Sequence, residues 1–268
     1  MMENTITLKN KNVLVTGGSR GIGTGICRAM ACCGANVIIN YHQHKEDAEQ
    51  LMVELQKDYN VKAFSFQADV SNQEAIIKMF EFIDSSVGAI DVLVNNAGCE
   101  SIEHAVDLKL DEWDRIFNVN LRGAFICSQE ASKRMIEQKE GVIINISSIH
   151  DKVPRKGLVH YCSAKAGINM MTKCLALELA AYNIRVVAIS PGAIETEMNR
   201  KEIDKFGREK FNNWVPLGRV GVVEDVAWTC AFLASDKAAY YTATEIYIDG
   251  GYKESTIPYD PRIQKTNN

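Results

Sequence analysis

Short, unbroken apolar runs alternate with amphipathic stretches along this chain, and no other feature limits its possible folds as much. The runs are NVLVT at 12–16, NVIIN at 36–40, AFSFQ at 63–67, DVLVN at 91–95, GVIINIS at 141–147, IRVVAIS at 184–190 and EIYID at 245–249. Continuous apolar character over so few residues predicts strands covered on both faces. Between them, EDAEQLMVELQKDY and QEAIIKMFEFIDSSV place apolar residues at spacings of three and four, the period of a helix with one buried side. A strand–helix–strand order closes by right-handed crossovers. The chain is therefore expected to form an α/β fold, a doubly wound parallel sheet of about seven strands with helices on both faces.

At 268 residues and 46% hydrophobic content, the chain has material for one sizeable core. No internal repeat, low-complexity tract or Pro/Gly-rich linker divides it. A single domain is predicted over 1–251, with a loop-rich insertion at about 192–216 and a polar tail over 252–268. The 30 basic and 34 acidic residues leave a net charge of -4, which offers no broad attraction to nucleic acid or to an anionic membrane surface and favours small-molecule chemistry. The start, MMENTITLKNKN, lacks the basic beginning and apolar run of a secretion signal, and no apolar run is long enough to span a bilayer. A cytoplasmic location is expected. The eight cysteines are scattered without a C-x-x-C pair and read as reduced core residues. His42 and His44 form one H-x-H in a polar loop and read as solvated, so no metal site is predicted.

The first apolar run leads directly into TGGSRGIGTGICRAMA, where Gly17, Gly21 and Gly23 separate a strand from an apolar helix. Glycine permits a tight turn and lets backbone N–H groups approach a pyrophosphate at the positive end of the helix. Placed after the first strand of an alternating chain, the turn predicts dinucleotide binding on a Rossmann-type sheet. Its spacing, G-x-x-x-G-x-G, together with NNAG at 95–98, YCSAK at 161–165 and PG at 191–192, resembles the short-chain dehydrogenase/reductase family over about residues 8–251. NNAGCE at 95–100, SSIHDKVP at 147–154 and VHY at 159–161 carry a nearer resemblance to bacterial glucose 1-dehydrogenases.

That resemblance implies roles position by position. Gly17, Ser19, Arg20, Gly21, Ile22 and Gly23 would form the phosphate turn. Asp69 and Val70 would hold the adenine, and Asn96, Ala97 and Gly98 would lie beside its ribose. Pro191, Gly192, Ile194 and Thr196 would meet the nicotinamide. The 2′ position falls at Tyr41 and His42, where an NAD-specific chain usually has a carboxylate that accepts from the ribose hydroxyls and repels a 2′-phosphate. With Tyr41 at that place and Arg20 and His42 able to face a phosphate, NADP(H) is the preferred cofactor and NAD(H) a possible one.

The stretch SSIHDKVPRKGLVHYCSAKAG supplies the chemistry. Oxidising an alcohol needs a base for the hydroxyl proton while hydride leaves carbon. A free tyrosine has a pKa near 10, and lowering it by about two units takes roughly 3 kcal/mol. Tyr161 and Lys165 stand at i and i+4 on one helix face, and an ammonium about 4 Å away in an effective dielectric near 20 is worth roughly 4 kcal/mol before desolvation. Lys165 is accordingly expected to lower the Tyr161 phenol, and the resemblance also has it bind the nicotinamide ribose. Ser148 would hydrogen-bond the substrate oxygen, the family spacing preferring it over Ser147, and Asn120 in FNVNLRG would hold a water linking Lys165 to solvent. No G-x-S-x-G elbow marks either serine as a hydrolase nucleophile.

His150 and His160 each adjoin a catalytic position and read either as substrate contacts or as a loop and a cap histidine. The segment at about 192–216 reads as a substrate lid whose Met198, Phe206, Phe211 and Trp214 exclude water, or as ordinary helix core. Glu100, His150, Ser148 and Met198 are the candidate substrate contacts. Glu100 and His150 suit sugar hydroxyls, whereas the apolar lid with a cationic edge at Arg155 and Lys156 suits a hydroxysteroid such as a bile acid; both substrate classes stay open. A nucleotide-binding sensor without turnover is the reading of another class, and it need not preserve Ser148, Tyr161, Lys165 and Asn120 together. The resemblance further implies a homotetramer, built by pairing the Tyr161 helix and the long helix before it, and the last helix and strand, with neighbouring copies.

Overall fold

The computed structural model describes residues 6–255, the side chains of residues 198, 199, 201, 202 and 206 excepted. Strands β1 (Asn12–Val15), β2 (Asn36–Tyr41), β3 (Ala63–Gln67), β4 (Val92–Asn95), β5 (Gly141–Ile146), β6 (Ile184–Pro191) and β7 (Thr244–Ile248) form one seven-stranded sheet in the order β3-β2-β1-β4-β5-β6-β7. All neighbours pair in parallel. Each predicted apolar run becomes one strand. The helices are α1 (Gly21–Cys32), α2 (Lys45–Tyr59), α3 (Gln73–Ser86), α4 (Leu110–Phe117), α5 (Gly123–Gln138), α6 (Val159–Leu179), α7 (Glu197–Phe206), α8 (Arg208–Trp214) and α9 (Val223–Ala234). Among the described residues, none is long and apolar enough to cross a membrane.

Because successive strand side chains point to opposite faces, each central strand feeds two cores. Val13, Val15, Val37, Ile39, Val92 and Val94 enter one core with Ile26 and Met30 of α1, Leu51 and Leu55 of α2 and Val226 and Leu233 of α9. Leu14, Ile38, Leu93 and Ile143 enter the other, against Phe80 of α3, Ile126 and Met135 of α5 and Ala176 of α6. Burial on both faces holds for β4 and β5. It fails at the sheet edges, where β7 is half-buried throughout and β3 mostly so, because an edge strand has a neighbour on one side only.

Two further expectations need correction. The segment predicted as loop-rich is largely helical: α7 and α8 meet at Gly207, whose φ of +85° favours glycine, and Ile203, Phe211 and Val220 form a small core with Trp214 packed against it. Helices of 10 and 7 residues are too short to display a clear period in sequence. The cysteines are not uniformly core residues. Cys27, Cys127 and Cys230 are buried, whereas Cys32 at the end of α1 and Cys174 on the outer side of α6 are exposed.

Strand order reverses between β1 and β4, so the loops leaving their carboxyl ends diverge and open a crevice, the place where ligands bind on such sheets. Helix α6 is fixed beneath that crevice by a buried polar chain. Asn95 of β4 donates to Asn145 of β5 (2.8 Å) and to Ser128 of α5 (2.9 Å), and Asn145 donates to Thr172 of α6 (2.8 Å). All four residues are buried, so removing one member leaves the others desolvated without a partner. Asn145→Ala is expected to cost about 2–3 kcal/mol of unfolding free energy, measured by chemical denaturation. A midpoint equal to the parent's would show that the chain contributes nothing to holding α6.

Candidate active site

The loops at the carboxyl ends of the strands enclose a cleft of about 1190 Å³. On its β1 side the glycine turn is locked by Asn96 and by two side chains, Thr16 and Asn40, that sequence reasoning did not single out. Thr16 Oγ1 accepts from the backbone N–H groups of Asn96 and Ala97, both at 3.0 Å, while Asn96 Nδ2 donates to the carbonyls of Thr16 (2.9 Å) and Gly17 (3.0 Å). Asn40 adds a third anchor, accepting from the Gly17 N–H through Oδ1 and from the Gly18 N–H through its carbonyl. Thr16 stood in the quoted turn and Asn40 at the end of the second run, so each was visible as a polar residue closing an apolar strand.

Gly23 lies inside α1 and not on the cleft. A Cβ there would fall 2.2 Å from the Gly17 carbonyl oxygen, so glycine is what lets the helix sit against the turn. No side-chain cap bond forms at Arg20, and Gly21 and Ile22 of the first turn of α1 line the cleft. This uncapped helix start, the tight glycine approach and the size of the cleft fit a dinucleotide. Gly17, Ser19, Gly21, Ile22, Tyr41, His42, Asp69, Val70, Asn96, Ala97, Gly98, Pro191, Gly192, Ile194 and Thr196 all line the same cleft. Met198, by contrast, has its side chain outside the described residues.

Across the cleft, Ser148, Tyr161, Lys165 and Asn120 converge from different elements. Ser148 follows β5 and begins a tight turn over Ile149–Asp151, its Oγ accepting from the His150 N–H at 3.2 Å and hydrogen-bonding with the Tyr161 phenol. Ser147 also lines the cleft, but its Oγ donates to the Lys165 carbonyl at 3.1 Å. Lys165 is buried and donates to the Ile146 carbonyl at 2.9 Å; burial lowers its ammonium to about 8, against the opposing pull of Cys99 and Glu100. Its Nζ stands 5.6 Å from the centre of the Tyr161 ring. The phenol itself is pushed up by burial and by Glu100, with the Ser148 hydrogen bond acting the other way. Burial of the phenol thus opposes the depression expected from Lys165.

Asn120 lies in a π-helical turn, Asn118–Arg122, between α4 and α5, an irregularity often found at functional sites. Its Nδ2 donates to the carbonyls of Cys99 (2.8 Å) and Ile116 (3.0 Å), while Oδ1 is buried with no hydrogen-bond partner. A Cβ on Gly98 would fall 2.8 Å from that Oδ1 and 3.6 Å from Lys165 Nζ. Glycine at 98 therefore keeps a gap between the amide oxygen and the ammonium.

The remaining candidates divide. Glu100 and His150 line the cleft, and His150 Nδ1 lies 2.8 Å from the Val153 carbonyl, so Nδ1 carries the proton and Nε2 is the acceptor. His160 turns away. It is fully buried, with Nε2 2.9 Å from Ser101 Oγ, which in turn bonds Glu112; the latter holds Arg115 through two bonds of 2.7 Å. Burial lowers the His160 pKa, and the residue serves the α4–α6 contact. Arg20 is not committed to the 2′ position, since its guanidinium pairs with Glu197 of α7 at 3.4 Å, and His42 lies 3.7 Å from Asp69. Sequence reasoning also missed Arg115, Cys99 and Tyr252, which line the cleft; Tyr252 belongs to the segment read as a polar tail, of which residues 256–268 lie outside the described residues.

Comparison with known proteins agrees with this arrangement. A family model described as enoyl-(acyl carrier protein) reductase matches residues 17–253. The chain is 40% identical over 246 residues to 3beta-hydroxysteroid dehydrogenase 1 of Eggerthella lenta, covering 91% of this chain and 94% of that protein. It is 41% identical over 241 residues to the 3-oxoacyl-[acyl-carrier-protein] reductase FabG of Staphylococcus aureus, covering 90% and 97%. Among solved structures, a gluconate 5-dehydrogenase from Burkholderia cenocepacia, in complex with NADP and tartrate, superposes with a TM-score of 0.87 at 31% identity over 93% of this chain and 97% of that one. The chain belongs to the short-chain dehydrogenase/reductase family and is a nicotinamide-dependent oxidoreductase acting on CH–OH or carbonyl groups.

Proposed function

We propose that Tyr161 is the proton-transferring acid and base of this enzyme, with Ser148, Lys165 and Asn120 as its partners, and that its substrate is a bulky secondary alcohol or the matching ketone, of the hydroxysteroid class. The observation that carries the first part is the orphaned Asn120 Oδ1 facing Lys165 Nζ across the gap that Gly98 leaves. One water there would accept from the ammonium and donate to the amide oxygen, giving the Lys165 proton a way in and out. A bound nicotinamide supplies or takes the hydride. Ser148 Oγ donates to the substrate oxygen, and the Tyr161 hydroxyl gives its proton to that oxygen in reduction or receives it back in oxidation.

The substrate class is supported by the 3beta-hydroxysteroid dehydrogenase relative and by apolar side chains lining the cleft, Phe211 and Trp214 with tilted rings 4.9 Å apart between centres, and Val153 and Pro154. Helices α7 and α8 would act as the lid that carries Phe211 and Trp214. A glucose-type substrate is the second reading, supported by Glu100 and the His150 Nε2 acceptor on the same cleft. A panel of hydroxysteroids, bile acids, sugars and 3-oxoacyl thioesters, followed at the reduced nicotinamide band, separates them. Steroid turnover is expected, and Tyr161→Phe should lower kcat at least about a hundredfold with cofactor affinity nearly unchanged. Turnover of glucose alone would remove the hydroxysteroid reading; a Phe variant as fast as the parent would remove Tyr161 as the acid and base.

NADP(H) is proposed as the preferred cofactor, since a 2′-phosphate would meet Tyr41 in place of a carboxylate, and His42 and Arg20 line that end of the cleft. The preference should be modest, because Glu197 competes for Arg20 and Asp69 for His42. Steady-state kcat/KM is expected to favour NADP(H) by roughly tenfold, one charge-assisted contact's worth. A ratio favouring NAD(H) contradicts it.

Assembly as a homotetramer is proposed from exposed apolar side chains on two faces, Phe125 of α5 with Met170 and Leu177 of α6, and Trp228 of α9 with Tyr240 and Tyr241 before β7. Light scattering at micromolar concentration should report four chains. A monomer would overturn the assignment of both faces.

A further inference from the structure

Behind the cleft, two carboxylates that take no part in the chemistry described above meet on one amide. Asn169 Nδ2 donates to Asp151 Oδ2 and to Glu245 Oε1, so the two acidic side chains lie within reach of each other. The Asp151 side chain is fully buried and Asn169 is 3% exposed. Two carboxylates in such contact cannot both ionise without strong repulsion, which favours one proton held between them.

The surroundings decide where that proton sits. Ser190 of β6 donates to Glu245 Oε1 at 2.6 Å, and the Tyr247 hydroxyl of β7 donates to Asp151 Oδ2 at 3.1 Å. The facing cations stand off: Lys152 Nζ is 3.9 Å from Asp151 Oδ2 on a mostly exposed side chain, and Lys253 Nζ lies over the Tyr247 ring at 4.5 Å. Burial and Glu245 raise Asp151 to about 6, whereas Glu245, despite burial, ends below the ordinary carboxylate value because Ser190, Asp151, Tyr247 and Asn169 hydrogen-bond it. The pair titrates as a unit, with the proton on the Asp151 side.

Its position ties it to catalysis. Asp151 closes the turn that Ser148 opens, its N–H donating to the Ser148 carbonyl at 3.1 Å. Asn169 follows Tyr161 and Lys165 at i+8 and i+4 on one face of α6. We propose that Asp151 and Glu245 share one proton and, through Asn169, act as positioning residues that hold the Ser148 turn in register with Tyr161. The kinetic part of this inference rests on Ser148 being the donor to the substrate oxygen; the shared proton does not.

The test uses the full-length enzyme and the variants Asp151→Asn, Asp151→Ala and Glu245→Gln. A carboxyl whose folded pKa is raised from the usual value to about 6 contributes stability that is complete below the usual value and is lost as pH rises through about 6. Asp151→Asn keeps a neutral donor at every pH. Its Tm is therefore expected to match the parent's at about pH 4, near the usual carboxyl value, and to exceed it by about 3 °C or more at pH 8. Glu245→Gln, which also relieves the repulsion, should narrow the parent's pH dependence in the same sense. In turnover, Asp151→Ala should lower kcat about tenfold or more with cofactor KM unchanged, and Asp151→Asn should restore it to within about threefold. Parent and Asp151→Asn melting curves that superimpose at all pH values would overturn the shared proton. An Asp151→Ala enzyme with the parent's kcat would overturn the positioning role. If no substrate is turned over at all, the proposed chemistry fails while the melting curves still judge the proton.

Discussion

The cost of burying the Lys165 ammonium shapes everything around it. A charge taken out of water must be met by hydrogen bonds or lose its proton, and here the Ile146 carbonyl at the end of β5 meets it at 2.9 Å. That single bond joins the middle of α6 to the central strand of the site, and the reciprocal bond from Ser147 Oγ to the Lys165 carbonyl fixes the same helix turn from the other side. Once Lys165 is placed, Tyr161 one turn earlier and Asn169 one turn later are placed with it. The Asn95–Asn145–Thr172 chain then sets the next stretch of α6 against β4 and β5.

Burial acts in opposite directions on the two titrating groups of the cleft, Tyr161 and Lys165. It raises the Tyr161 phenol and lowers the Lys165 ammonium, moving both toward their neutral forms. The two shifts move the groups apart in proton affinity, so burial keeps the proton on the phenol and away from the phenolate–ammonium ion pair. The sheet supplies the frame for this: carboxyl ends of β1, β4, β5 and β6 all open on the same cleft, so the residues that meet a nucleotide and the residues that meet a substrate share one wall.

Much of this was legible in the sequence because it depends on local rules. Apolar runs such as AFSFQ mark strands whose ends the structure moves by a residue or less, and the glycine turn, NNAG and the Tyr161–Lys165 spacing point to residues that do line one cleft. What escaped depends on contacts between distant segments. Arg20 looked available for a phosphate until Glu197 was folded against it, 177 residues along the chain. His160 looked like a neighbour of the site, but its position on α6 turns it toward Ser101. An i,i+4 pair in sequence shows the attraction expected between Tyr161 and Lys165 and hides the desolvation that opposes it. Asp151 and Glu245 lie 94 positions apart in numbering, and only the packing of β7 on α6 and on the Ser148 turn brings them together.

In the proposed site the Lys165 ammonium stabilises the Tyr161 phenolate against the burial that raises the phenol. The direct measurement is the titration of Tyr161 by NMR of ring-labelled tyrosine in the parent and in Lys165→Met, each with the oxidised cofactor bound. The phenol of the parent is expected to hold its proton at least about tenfold more weakly than that of the variant, because an ammonium is removed and the burial remains. Identical titration of Tyr161 in the two proteins would contradict the claim.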